Sequence, residues 1–338
     1  MLKQIALVVA ACIWSGAALG GPFDQAYWIA VSSGVVKIEV SRPSGYALGT
    51  GVTVAHGRVA TACHVLRGGR RIAVLHGGVR YAAAAPDTSS EDDVCILHVP
   101  LLEAPPAVLR PTSQLSIGEE VGAIGFSAGT GVHYARGAVH RLHPYHNGLV
   151  IQGSAAFTSG ASGGGLFDAK KRLVGILLFR MRGPGPQYFS APVEWIADGL
   201  RGPAAGLPVA KISGEPFWNR PPDQLPYFMR ANLLISEQRW DDLQALLPQW
   251  LLDEPSSAEP AFLAGELDSR HGQMQRALVD YREAVSRDPD HALAWSGLVR
   301  ASLSVRDVDF ARQAYERLVP LSVILSNRIA DEFPEVRQ

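Results

Sequence analysis

Hydrophobic and polar positions change their period near residue 200 of this 338-residue chain. From 35 to 192 short apolar or alternating runs, at 35–40, 49–54, 71–75, 94–99, 121–125, 137–142, 149–152 and 173–179, are cut by Gly, Pro, Asn and Asp. Runs of this length predict strands, and so many of them with few helical stretches predict an all-β sandwich or a pair of barrels. Residues 23–33 break the pattern and read as a short amphipathic helix that leads into the first strand. Residues 201–223 are rich in Pro and Gly and read as a linker.

Beyond the linker the period becomes helical, and it repeats. Pro255 and Pro289 lie 34 residues apart. The same interval relates Tyr227, Ala261 and Trp295, then Leu243, Ala277 and Ala311, then Leu247, Tyr281 and Tyr315. This is the period of tetratricopeptide repeats, and the clearest unit carries Gly265, Ala277, Tyr281, Ala284 and Pro289 where such a repeat wants them. Residues 224–322 therefore resemble three tetratricopeptide-like repeats, an all-α solenoid, with 323–338 as a tail. Small alanines let paired helices approach, and aromatics fill the space between pairs. The resemblance implies a concave face suited to a protein partner.

Composition narrows the class. With 47% hydrophobic and 19% charged residues the chain has ample apolar content for two globular domains. A formal net charge of −1 and the lack of a basic, aromatic-interleaved stripe argue against nucleic acid as a partner. Lys3, the apolar run 5–14 and the small residues Ala18-Leu19-Gly20 read as an export signal over 1–20, which predicts a periplasmic or secreted protein. The run is too short to span a membrane, and Gly16 interrupts its extension. Val9-Ala10-Ala11-Cys12 resembles a lipoprotein box, but the apolar segment before Cys12 is very short, so a lipid anchor there is disfavoured.

Candidate chemistry centres on Ser159-Gly160-Ala161-Ser162-Gly163-Gly164-Gly165. A serine among glycines just before an apolar run predicts a tight turn whose free N–H groups can face an oxyanion. A hydroxyl needs a base, and the base needs a carboxylate to orient it. His64 in Ala60-Thr61-Ala62-Cys63-His64-Val65 and Asp93 before Val94-Cys95-Ile96-Leu97 supply both, with Asp92 competing for the carboxylate role. Their order, His then Asp then Ser, is that of the chymotrypsin type. Other signals carry less. Gly125-Phe126-Ser127-Ala128-Gly129 spells a nucleophile elbow but lacks the helix that must follow. His140, His143 and His146 are evenly spaced, yet Pro144 interrupts them and no local Cys or carboxylate joins them. No metal or other cofactor is expected.

These motifs resemble bacterial trypsin-like peptidases of the HtrA (DegP) type from about residue 24 to about 200. Gly49-Thr50-Gly51-Val52 with the His64 motif is similar to their histidine strand, and Asp93-Val94-Cys95-Ile96-Leu97 to their aspartate strand. Gly118 to Gly125 resembles the strand opening the second barrel, and Gly160 to Leu166, Leu173-Val174-Gly175-Ile176 and Tyr188 to Pro192 resemble the nucleophile turn and the strands after it. The resemblance implies a chymotrypsin-like double β-barrel over 23–200 with His64 and Asp93 on the first barrel and Ser162 on the second. It implies an oxyanion hole from the N–H groups of Gly160 and Ser162. If His64 and Asp93 meet, Cys63 and Cys95 come within disulfide reach, and the sequence leaves them as either a disulfide or two buried thiols. One departure stands out: such enzymes usually carry Asn or Asp before the nucleophile, and here Ala161 stands there.

By the same resemblance the specificity pocket has its base near Ala156 and its walls near Leu177, Leu178 and Phe179. No acid sits there to pair with Lys or Arg, so a small or medium apolar side chain is expected, although Arg180 and Arg182 could favour an acidic one. Phe23, Tyr27 and Trp28 read either as a helix packed on the barrel or as a trimer contact. The expected function is an exported serine endopeptidase acting on a protein or peptide, with a partner held by the repeats. The rivals are a catalytically silent scaffold with a protease fold and an esterase using the same triad.

Overall fold

Alternation along the chain turns directly into layers. In the first long strand Val36, Ile38 and Val40 are buried while Lys37 and Glu39 face outward, 3.2 Å apart. The structure, a computed structural model, describes residues 22–85, 88–89, 91–127, 131–181, 187–201 and 212–337. The export signal, Cys12 and Arg182 lie outside the described residues.

The first half runs α1 (Gln25–Ser32), β1 (Val35–Arg42), β2 (Gly45–Ala55), β3 (Arg58–Ala62), α2 (Cys63–Leu66), β4 (Arg71–His76), β5 (Val79–Ala83), β6 (Thr88–Ser89) and β7 (Val94–His98). Six of these strands form a sheet in the order β5-β4-β1-β2-β3-β7. Its two edges meet at one antiparallel bridge, Ala84 opposite His98, so the sheet curls into a barrel closed at a single point. The second half, β8 (Glu120–Ser127), β9 (Gly131–Tyr145), β10 (Gly148–Gly153), β11 (Gly165–Asp168), β12 (Leu173–Met181) and β13 (Gln187–Pro192), is a closed barrel. The helix α1 is packed on this second barrel. Tyr27 donates to the Asp168 carbonyl at 2.9 Å, and Trp28 stacks on Tyr134.

Two stretches differ from the sequence expectation. A helix, α3 (Val193–Arg201), closes the second barrel where only the end of a domain is expected. Of the stretch read as linker, the described part is engaged: β14 (Ile212–Ser213) pairs with β6, and a 3₁₀ turn over Phe217–Asn219 buries Phe217 completely. Pro and Gly here shape a docked strap, because the two large aromatics among them drive it onto the barrels.

The rest is helical: α4 (Tyr227–Ser236), α5 (Trp240–Asp253), α6 (Glu259–Arg270), α7 (Met274–Arg287), α8 (Ala292–Ser304), α9 (Val308–Leu321) and α10 (Val323–Glu332). The second helix of each of the first three pairs begins at 240, 274 and 308, an interval of 34 residues. Tyr281 of α7 is buried against Gly265 of α6 and Gly297 of α8, where any side chain would collide with its ring. The stretch 323–338, read as a tail, contains α10, which returns to the second barrel. Ser322 donates to the Ile117 carbonyl at 2.9 Å, and Ile324 lies over Gly118.

The helices also dock on the second barrel through a buried polar seam. Arg141 of β9 reaches Glu259 at 2.6 Å and lies over the Phe262 ring, and Glu259 also meets His291 at 3.3 Å. Beside it His143 bonds Gln152 at 2.6 Å and stacks on Phe228 of α4. Burial, reinforced by Arg141, pushes the His143 imidazole down to about 4. Burial alone would raise the Glu259 carboxyl, but Arg141 and His291 outweigh it and hold the group well below the usual carboxylate range. Both shifts favour docking near neutral pH and oppose it in acid. Below the ordinary histidine value of 6.5 the unfolded chain gains a proton that folded His143 refuses, a loss of stability that continues to about pH 4. Below 4.5 the Glu259 contribution is lost as well. We predict a melting temperature that falls from pH 6.5 towards 4.5, by an amount equivalent to about 3 kcal/mol once His143 titrates in full. His143→Gln should flatten the upper part of that curve, and an unchanged curve would refute the assignment.

Candidate active site

The ladder between β3 and β7 sets the first half of the site. Ala62 lies opposite Val94, so the next residues outward, Cys63 and Asp93, face each other, and the Cys63 N–H donates to the Asp93 carbonyl at 3.1 Å. Cys63 and Cys95 are joined by a disulfide across 32 residues, which on loop-entropy grounds is worth about 3–4 kcal/mol. Asp93 has φ of 57°, in the left-handed region that Asp tolerates better than most side chains, and is 0% exposed. Its carboxylate is turned back onto the turn that carries His64.

The carboxylate takes the His64 backbone N–H on Oδ1 at 2.8 Å and the His64 ring on Oδ2 at 2.6 Å. A carboxylate can only accept, so Nδ1 carries the proton and Nε2 is left as a base. Oδ2 takes a further donor that sequence reasoning missed, the indole N–H of Trp218 at 3.0 Å. Arg42 reaches the Val65 carbonyl at 3.1 Å and the His64 carbonyl at 3.4 Å, which satisfies the end of the short α2 turn. The rival carboxylate, Asp92, is engaged elsewhere, with His146 at 2.7 Å.

The second half is the turn before β11. The Ala161 N–H bonds the Thr158 carbonyl and the Gly164 N–H bonds the Ala161 carbonyl, so the chain winds tightly around Ser162. Gly163 has φ of 85°, and a Cβ there would lie 2.2 Å from the Thr50 carbonyl and 2.3 Å from Thr61 Oγ1, so only glycine fits. Among the described residues the N–H groups of Gly160 and Ser162 have no acceptor. The Ser162 hydroxyl donates to the Leu178 carbonyl at 3.3 Å, and no hydrogen bond joins it to His64. The His–Asp half is therefore engaged and the Ser–His half open.

Thr50 holds the two halves together. Its N–H donates to the Ser162 carbonyl at 2.9 Å, and its hydroxyl donates to the Gly160 carbonyl at 2.8 Å while accepting the Phe126 N–H at 2.8 Å. Ala161, where a polar residue is expected, is 1% exposed and packs in the second barrel's core, so close to Gly125 that no side chain could stand on that glycine. The turn is thus held from Thr50. The sequence signal for Thr50 was the polar residue inside Gly49-Thr50-Gly51, where small neighbours permit close approach.

The residues read as the specificity pocket are placed unevenly. Ala156 is exposed, whereas Leu177 and Leu178 are closed off from solvent and fill core space. Phe179 is stacked between Phe189 and Trp218. Arg180 is exposed on β12. Of the three histidines, His143 and His146 are committed to Gln152 and Asp92, and His140 lies apart from them on the surface. Ser127, the serine of the elbow-like motif, ends strand β8 and is buried.

Residues 49–176 match the family of the trypsin-like peptidase domain, a span that includes His64, Asp93 and Ser162. No curated protein matches the chain. Among solved structures, the HtrA-type protease AlgW with a tripeptide is 26% identical, with 52% of this chain and 62% of that chain covered and a TM-score of 0.48. The Rv3671c protease from M. tuberculosis in its active form is 22% identical, with 63% of this chain and 100% of that chain covered and a TM-score of 0.50. The serine endoprotease from Yersinia pestis is 22% identical, with 52% and 65% covered and a TM-score of 0.47. The match thus spans less than two thirds of the length of AlgW, and the likeness to the M. tuberculosis protease is one of fold. By this match residues 49–176 carry a trypsin-like peptidase domain, set within the two barrels described above.

Proposed function

We propose that the chain is an exported endopeptidase that cleaves peptide bonds through an acyl-enzyme on Ser162. The observation that carries this reading is the buried Asp93 carboxylate holding His64 through both its ring and its backbone, beside a serine turn with two unclaimed amides. In the proposed reaction the Ser162 hydroxyl leaves the Leu178 carbonyl and gives its proton to His64 Nε2 as Oγ adds to the substrate carbonyl. The N–H groups of Gly160 and Ser162 take the oxyanion, and imidazolium returns the proton to the leaving amine. Water then repeats the sequence to release the acid. Asp93 stabilises the imidazolium.

Arg180, exposed on β12, and the lack of Asp or Glu in the sequence around Ala156 support substrates without a basic residue at the main specificity position. The 34-residue helical interval supports a tetratricopeptide-like array that recruits the substrate or a partner protein. Among the described residues no helix is long and apolar enough to cross a membrane, and the export signal read at 1–20 supports a periplasmic or secreted location. A second reading, a silent scaffold, draws on the open Ser–His contact alone.

Two experiments separate these readings. A fluorophosphonate should label the mature full-length chain at Ser162, with labelling abolished in Ser162→Ala; a well-folded chain that never labels would leave the scaffold. Thr50→Val removes the hydroxyl that fixes the Gly160 peptide and should slow labelling about 10-fold or more, with Thr50→Ser recovering most of it. Labelling of the valine variant at the wild-type rate would show that the clamp is not needed.

A further inference from the structure

Most of the groups around the Asp93 carboxylate come from the first barrel, and one does not. The Trp218 indole N–H reaches Oδ2 at 3.0 Å from a position 125 residues further along the chain, beyond both barrels. Its ring also stands edge-on to His64, with centroids 5.3 Å apart and planes at 87°, and stacks on Phe179 at 5.0 Å. The indole therefore completes the carboxylate's hydrogen bonds and walls one side of the imidazole.

The segment that carries Trp218 is fastened on both sides. Phe217 is fully buried among Tyr145, Phe179, Trp195 and Phe228. Its N–H donates to the Glu91 carbonyl at 2.9 Å, and Arg220 pairs with the Glu91 side chain at 2.5 Å. Phe228 belongs to α4, the first of the docked helices, and also stacks on His143 in the polar seam. One aromatic cluster thus joins the seat of the helical array to the residue next to Trp218.

We infer that Trp218 is a positioning residue for the His64–Asp93 pair, and that seating of the helical array on Phe217 through Phe228 keeps it in place. This rests on the peptidase reading for its kinetic consequence but not for its structural one. Without the indole donor the carboxylate loses one of its three hydrogen bonds in a site closed to water, and Oδ2 is free to turn from the His64 ring. Loosening α4 acts on the same pair from a distance, by letting the strap lift.

The test uses the full chain and three variants: Trp218→Phe, which keeps a ring but has no N–H, Phe228→Ala, and the double variant. With a peptide substrate, Trp218→Phe should lower kcat about 10- to 100-fold with KM nearly unchanged. Phe228→Ala should lower kcat less, and the double variant should be no slower than Trp218→Phe alone. An effect confined to KM would make Trp218 a substrate wall, and fully additive losses would break the link to the helices; either overturns the inference. A proton spectrum gives a readout independent of turnover. The low-field resonance of the His64 Nδ1–H bonded to Asp93 should be present in the wild-type chain and shifted or lost to solvent exchange in Trp218→Phe. A wild-type chain that shows the resonance yet never labels at Ser162 would defeat the peptidase reading alone, whereas a resonance indifferent to Trp218→Phe would defeat the positioning role.

Discussion

A carboxylate with no exposure to water must find its hydrogen bonds inside the protein, and Asp93 draws on distant parts of the chain to do so. An isolated buried charge is costly enough that a fold either pairs it or loses it. Here the His64 backbone, the His64 ring and the Trp218 indole all converge on it. The same demand explains the neighbouring features. The left-handed backbone at Asp93 aims the carboxylate inward, the Cys63–Cys95 disulfide ties the His64 turn to the Asp93 strand, and Arg42 satisfies the carbonyls at the end of that turn.

The second constraint is the gap between two separately built barrels. In the proposed reaction Ser162 on one barrel and His64 on the other can act together only if something fixes the distance. Thr50 spans that gap with its amide and its hydroxyl, and Gly163 permits the approach because it has no side chain to place there. The helical array adds a third layer. Arg141, Glu259 and His143 anchor it through a buried polar seam, which makes the docking sensitive to acid.

Much of this was legible in the sequence because it rests on local periodicity and short motifs. Strand runs, the order of His64, Asp93 and Ser162, and the 34-residue helical interval all leave marks within a few residues or at a fixed spacing. Contacts between distant residues leave fainter ones. Trp218 sat in a Pro-rich stretch that reads as linker, although a solvated linker has no use for Phe217 and Trp218 side by side. Leu177 and Leu178 read as pocket walls because they follow the nucleophile strand at the right distance, but alternation sends them to opposite faces of the strand, and each is closed off from solvent in a different apolar cluster. Ala161 stands where the family carries a polar side chain, and the hydrogen bonds to this turn come instead from Thr50, 111 residues earlier. The helix α10 read as tail because it is short and follows the last repeat.

The central claim is that Ser162 and the amides of its turn form one site with His64 and Asp93. The most direct measurement is a crystal structure of the full chain with a peptide boronate bound. The account predicts a boron–Oγ bond at Ser162, the hydroxyl drawn away from the Leu178 carbonyl, and one boronate oxygen within hydrogen-bond distance of the Gly160 and Ser162 N–H groups. A boronate absent from Ser162, or bound there with its oxygens turned away from both amides, would contradict it.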